Sequence, residues 1–301
     1  MGFSDSIFEM VAFSPATKVL ARHLPVRGGA RIVLEAYGRT NIRPESTIAT
    51  SIFGDIFNVD FNSFLEWQVW AFGTYEAELG RLLGAIISQN ENCIDVGANI
   101  GIHTIRMAKS VGSGGNVIAI EADAGLSNRL KANVELNSLT NVNVVQVAAA
   151  AVDGEVVTLN RPEDEDSNKA RASLIRHMYL TGKSQSVRTV TIDNAANGRE
   201  IDFIKIDVEG AEIDVLRGAT ETIDRCRPTI VFEYSSDHVK EGMSPIVFLQ
   251  EIGYSLQEIR NVRNRVTGRG HLSVTPLIDV PSGCVNILAL SDSKERGSAG
   301  L

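Results

Sequence analysis

The sequence predicts an α/β fold: a mostly parallel sheet with helices on both faces, an N-terminal extension and a β-containing insertion. Two observations carry that reading. From residue 92 onward, short apolar runs alternate with segments of helical period, as in a parallel sheet wrapped on both faces. The first run also breaks directly into a glycine turn, Asp95-Val96-Gly97-Ala98-Asn99-Ile100-Gly101, and then into a helical pattern.

Residues 1–72 read as the extension, with turn signals at Pro15, Pro25, Gly28-Gly29 and Pro44. An aromatic-dense segment follows from Phe53 to Tyr75 and holds both tryptophans, Trp67 and Trp70. It suits core packing or a lid over a site. Helical spacing of Leu79, Leu82, Leu83, Ile86 and Ile87 predicts a helix over 74–87, with Thr74 as its N-cap. An α/β core would then occupy 73–290. Its expected strands are 94–96, 117–121, 142–148, 203–206, 229–233 and 285–290. Helices are expected over 100–110, 127–137, 211–219 and 245–252. The stretch 151–200 interrupts the rhythm and reads as the insertion, with β-like pieces at 156–159 and 187–192 around the polar run Glu163–Lys169. The polar, glycine-containing tail 291–301 reads as disordered.

The formal net charge of -8, with no lysine- or arginine-rich run, argues against nucleic acid or an anionic membrane as the main partner. No apolar run reaches transmembrane length, so stable membrane insertion is not expected. Met1 is not followed by a basic and then apolar leader, and the Met1-Gly2…Ser6 acylation pattern is read as chance, giving a cytoplasmic expectation. Cys93, Cys226 and Cys284 are far apart, lack metal-ligand spacing and read as reduced thiols. A homo-oligomer is compatible with the aromatic segment.

The chemistry concentrates at three places. In the glycine turn, Gly97 and Gly101 allow a tight strand-to-helix reversal, and main-chain N–H groups open at the helix start. The spacing is D-x-G-x-x-x-G and not the dinucleotide G-x-G-x-x-G. Asp95 would repel a phosphate and suits an amine-bearing ligand. Glu121, twenty residues beyond Gly101, suits a ribose diol. S-adenosyl-L-methionine has both groups. The second place is Ile204-Lys205-Ile206-Asp207-Val208-Glu209-Gly210-Ala211-Glu212, where four charges crowd the end of an apolar strand. Strand alternation puts Lys205 and Asp207 on one side, and Glu212 suits helix-dipole stabilisation. The third is Gly73-Thr74-Tyr75-Glu76. Among the histidines (His23, His103, His177, His238 and His271), His103 sits in the cradle helix, and His238 or His271, near later strand ends, could be a general base.

These strings together resemble the FkbM-type methyltransferases, a branch of the S-adenosylmethionine-dependent class I (Rossmann-like) enzymes. The match spans roughly residues 53–235 and includes Asn133–Asn137 and Glu233. It departs at Ala122, where such proteins usually carry proline. The resemblance implies a seven-stranded, mostly parallel sheet and O-methylation of a small-molecule or glycan acceptor. It assigns Asp95, Gly97, Asn99 and Gly101 to the methionine part of the donor, with Tyr75 and Glu76 closing over it. Glu121 would hold the ribose, Ala148 and Ala149 would lie near the adenine, and Asp207 and Glu209 would face the methyl and the acceptor. No metal is assigned; a divalent cation shared by Asp207 and Glu233 is a variant that lacks an evident third ligand. A nicotinamide-dependent oxidoreductase and a non-catalytic protein keeping the fold remain as alternatives.

Overall fold

The computed structural model describes residues 13–14, 17–18, 35–37, 46–159, 185–237, 244–263 and 270–291. The early turn signals Pro15, Pro25, Gly28, Gly29 and Pro44, the polar run Glu163–Lys169, the tail after Ser291, and His23, His177 and His238 lie outside these residues.

The chain forms two compact units. The first comprises Met1–Ala77, Asn160–Gln185 and Arg263–Gly270. In it, strands β1 (Thr47–Thr50) and β2 (Ile56–Val59) pair as an antiparallel hairpin. Ser51 closes the hairpin turn: its Oγ accepts from the Asp55 N–H, and its own N–H donates to the Asp55 carbonyl. Helix α1 (Phe64–Phe72) follows, capped by the Ser63 hydroxyl on the Glu66 N–H and ended by left-handed Gly73. The aromatic segment is this unit's core. Trp67 is fully buried and lies 4.4 Å from Tyr37, ring centre to ring centre, while Phe61 meets Trp70 edge-on at 5.2 Å.

The second unit comprises Glu78–Leu159, Ser186–Val262 and His271–Leu301. Helix α2 (Ala77–Ile86) precedes strand β3 (Asn92–Val96), helix α3 (Ile102–Val111), strand β4 (Asn116–Ile120) and helix α4 (Ala124–Leu136). Strand β5 (Val142–Val145) comes next, then three short strands: β6 (Ala148–Ala149), β7 (Val156–Leu159) and β8 (Gln185–Val190). Helix α5 (Ile192–Ala196) leads to β9 (Phe203–Ile206), α6 (Glu212–Arg217), α7 (Thr220–Cys226) and β10 (Thr229–Ser235). The described residues end with α8 (Pro245–Glu251), β11 (Tyr254–Arg263), β12 (Gly270–Pro276) and β13 (Cys284–Ser291).

The main sheet runs β12-β11-β13-β10-β9-β3-β4-β5, eight strands where the resemblance implies seven. β10, β9, β3, β4 and β5 are parallel, and β13 is antiparallel to both β10 and β11. The sequence reading missed β11 and β12, whose polar residues blur the alternation that marks a buried strand. The central strands are apolar on both faces because both are covered. Ile94, Val96, Ile118, Ile120, Ile204 and Ile206 pack with residues of α5 to α8. Cys93, Val117 and Phe203 pack on the other face with Leu79, Leu82 and Leu83 of α2 and Met107 of α3. Asp95 and Lys205 alternate onto that second face. β3 lies between β4 and β9, so successive connections leave in opposite directions and a crevice opens at the strand ends.

Two sequence expectations change. The strand expected over 142–148 stops at Val145, because β4 has ended: the Glu121 N–H donates to the Val145 carbonyl and there is no further partner. Ala148 and Ala149 instead pair in parallel with Thr189 and Val190 of β8. The helix expected over 211–219 is α6, Glu212–Arg217, and after Gly218, where a Cβ would sit 2.1 Å from the Ala150 carbonyl oxygen, a second helix, α7, follows that the sequence did not suggest. No helix among the described residues is long and apolar enough to cross a membrane.

The second of these helices, α7, has no side-chain cap from its own N-cap residue, Ala219. Asp193 of α5 supplies one, accepting from the N–H groups of Thr222 at 2.7 Å and Glu221 at 3.1 Å. Asp193→Ala is expected to destabilise the protein by about 1 kcal/mol, measured by urea unfolding, with Asp193→Asn retaining part of the cap.

Candidate active site

The acidic residues singled out in the sequence come together at the carboxyl ends of β3, β4, β9 and β10. Asp95 is the penultimate residue of β3 and is fully buried. Its Oδ2 accepts from the Thr104 hydroxyl of α3 at 2.6 Å. Its Oδ1 is buried and makes no hydrogen bond, although the Lys205 ammonium stands 3.5 Å away. Lys205 is the register partner of Asp95 on the neighbouring strand, and it donates to Asp207 Oδ2 at 3.2 Å.

The turn after β3 depends on its glycines. Gly97 has a φ of +73°, and a Cβ on it would lie 1.8 Å from the Asp207 carbonyl oxygen. Asp207 in turn donates its N–H to the Val96 carbonyl. The loop after β3 and the string after β9 are thus in main-chain contact, with no room between them for a side chain. At Gly101, φ is +93° and a Cβ would strike Leu130 of α4. Asn99 is left-handed too, and its side-chain oxygen accepts from the Ile100 N–H.

Glu121, just past β4, is 2% exposed. One carboxylate oxygen accepts from the Asn99 N–H and the other from the Asp123 N–H, both at 2.8 Å. Each oxygen keeps a lone pair for a further donor. Burial pushes this carboxyl up to about 7, against the Asn99 hydrogen bond; the Asp95 and Asp207 charges raise it further and Lys205 lowers it. The Ala122 carbonyl accepts from the Gln146 side chain.

Glu209 lies in the turn after β9 with a φ of +51°. Burial, then the charges of Glu233, Asp207 and Glu212, push its carboxyl up to about 8. Carboxylate oxygens of Asp207, Glu209 and Glu233 all lie within 4.8 Å of one another, a spacing that could accommodate a divalent cation and that supplies the third acid the sequence did not reveal. Lys205 already occupies one of those acids. Glu233 also accepts from the Cys284 thiol at 3.0 Å. Glu212 is structural, closing the turn by accepting from the Gly210 N–H, and burial raises its carboxyl.

The other expected residues are placed as follows. Ala148 and Ala149 are strand residues of the small β6-β8-β7 sheet, and no hydrogen bond joins them to the acidic group. Tyr75 and Glu76 belong to the first unit. There the Thr74 hydroxyl bonds the Tyr75 carbonyl instead of capping a helix, and the helix begins only at Ala77. His103 is buried within α3, and His271 is exposed on β12. None of the three cysteines is in a disulfide. Sequence reasoning leaves out Thr104 and Lys205 as site residues. A lysine inside an otherwise apolar strand was the available signal for the latter.

Residues 95–266 match the family described as the methyltransferase FkbM domain. A protein of Beauveria bassiana (strain ARSEF 2860) named Methyltransferase 1 is 25% identical over 142 residues, 42% of this chain. The alignment spans 57% of that fungal protein's length. A protein of Jannaschia sp. (strain CCS1) named as a methyltransferase is 22% identical over 227 residues, covering 67% of this chain and 78% of its own. Among solved structures, methyltransferase FkbM from Methylobacillus flagellatus KT aligns with a TM-score of 0.43 and 17% identity, covering 68% of this chain and 45% of that one.

The fit at Gly97 can be measured. Gly97→Ala is expected to cost about 1–3 kcal/mol for the left-handed backbone alone, and more for the overlap with the Asp207 carbonyl. Gly54, with φ +81° and no atom within 4 Å of its would-be Cβ, isolates the backbone contribution. In urea unfolding, Gly97→Ala should therefore be clearly more destabilised than Gly54→Ala; equal losses would show that the contact carries no weight.

Proposed function

We propose that this chain, which belongs to the FkbM methyltransferase family, uses S-adenosylmethionine to methylate a hydroxyl group on a sugar, glycolipid or natural product. The observation that carries this reading is the main-chain contact of Gly97 with Asp207, which sets a glycine cradle against a cluster of acids. The cradle's chemistry supports the donor. The buried Asp95 Oδ1 makes no hydrogen bond and meets the Lys205 ammonium only at 3.5 Å, which leaves it acceptor capacity toward a ligand's ammonium. Glu121 keeps lone pairs for the two hydroxyls of a ribose. A nicotinamide dinucleotide fits less well, because Asp95 offers a pyrophosphate only repulsion and the turn lacks the G-x-G-x-x-G spacing.

When bound, S-adenosylmethionine supplies the electrophile, a methyl group on a sulfonium. The protein's own work is to orient and to move one proton. Asp95, Gly97, Asn99 and Gly101 hold the methionine part, and Glu121 accepts from the ribose. Asp207 and Glu209 face the acceptor, whose hydroxyl loses its proton to a carboxylate as its oxygen attacks. In the ionised form Glu209 is a stronger base than an ordinary carboxylate, since burial and its acidic neighbours disfavour its charge.

Two measurements test this. Calorimetry with S-adenosylhomocysteine should show binding that Glu121→Ala weakens by about tenfold or more, a loss of roughly 1.4 kcal/mol. Binding indifferent to Glu121 removes the donor assignment. Once a hydroxyl acceptor is found, turnover should rise with pH through about 8, where Glu209 ionises. Glu209→Gln should lose that rise and on the order of 100-fold in rate. Turnover abolished by EDTA and restored by a divalent cation would assign proton removal to a metal held by Asp207, Glu209 and Glu233 instead.

A further inference from the structure

We infer that Lys205 is a positioning residue whose ammonium ties Asp207 to the donor cradle through Asp95, leaving Glu209 as the carboxylate that takes the acceptor's proton. The inference rests on the donor reading above. Lys205 is 3% exposed and stands on the sheet face that Asp95 shares, in parallel register with it. A buried ammonium is costly unless it is paired. Lys205 meets that cost with two carboxylates, Asp207 Oδ2 at 3.2 Å and Asp95 Oδ1 at 3.5 Å. Because Thr104 fixes the other oxygen of Asp95, the chain Thr104–Asp95–Lys205–Asp207 runs from α3 across β3 to the end of β9.

The main chain repeats the tie. The Asp207 N–H reaches the Val96 carbonyl, and the Asp207 carbonyl fills the space beside Gly97. Asp207 is held on the donor side by both its backbone and its side chain. Glu209 differs. Its carboxylate makes no hydrogen bond or ion pair among the described residues, and the groups acting on it are the acids Glu233, Asp207 and Glu212. To accept a proton, Asp207 must give up an ammonium; Glu209 gives up nothing. The two acids that look equivalent in the sequence therefore divide the work, one holding the cradle and the other receiving the proton.

Calorimetry with S-adenosylhomocysteine across the neutral pH range tests the tie. The titratable groups facing Lys205 are Asp95 on β3, Asp207 after β9 and, at longer range, Glu121 after β4. Lys205 lowers the Glu121 carboxyl, and Lys205→Met removes that cation. The acid-side loss of affinity should then move up by about one pH unit, and Lys205→Arg should reverse the move. A purely structural lysine would lower the unfolding temperature and leave that limb in place. Asp207→Asn combined with Lys205→Met should bind no worse than the weaker single variant, because both cut the same chain. An unmoved limb, or a double loss equal to the product of the single losses, overturns the inference. If Lys205→Met does not fold, Lys205→Gln and Asp207→Asn complete the same cycle. Wild-type protein that fails to bind S-adenosylhomocysteine overturns the donor reading instead.

Discussion

One buried ammonium makes the site tenable. Asp95 and Asp207 end neighbouring strands, and Glu121 lies just past the next, so three carboxylates are drawn toward one crevice by sheet topology alone. Carboxylates brought together out of water repel, and each would tend to take up a proton. Lys205 stands between two of them and acts on the third at longer range. Without it the cradle would have to choose between its charge and its burial. The cluster further out, Glu209 with Glu233, has no such cation at its centre, and there burial and like charge hold a carboxyl high enough to be useful near neutral pH.

The local strings were legible because each is contiguous. A strand, a turn and a helix start are written within a dozen residues, so Asp95, Gly97, Asn99 and Gly101 could be named without coordinates. The same holds for the crowding at Asp207 and Glu209, and strand alternation put Lys205 on the side of Asp207. What alternation cannot give is strand order. That Lys205 faces Asp95 requires β9 to lie next to β3, although 110 residues separate the pair. Thr104 escaped notice because a threonine early in a helix reads as ordinary. Glu209 and Glu233 meet only because β9 and β10 are neighbours. The edge strand β12 and its neighbour β11 were missed for a different reason: polar and charged residues such as Gln257, Glu258, Arg260 and Asn261 break the apolar alternation.

Helix and strand limits moved where partners ended. β5 stops when β4 does, and the chain then turns to pair with β8, so Ala148 and Ala149 are strand residues of a second small sheet. The break at Gly218 has the same character, since contact with the Ala150 carbonyl decides it and helix propensity does not. In both cases tertiary contact overrides a local pattern that was itself correctly read.

The contact between the two halves of the site is made of main chain. Gly97 packs against a carbonyl oxygen, and every residue has one. The Gly97 contact is therefore indifferent to the side chain at position 207, whose carboxylate is tied separately to Lys205. Such an arrangement separates heredity of shape from heredity of chemistry. Selection can exchange side chains further along the second turn, beyond 207, while the glycine loop keeps its form. Within a lineage built this way, changes in what is methylated need not disturb where the methyl comes from.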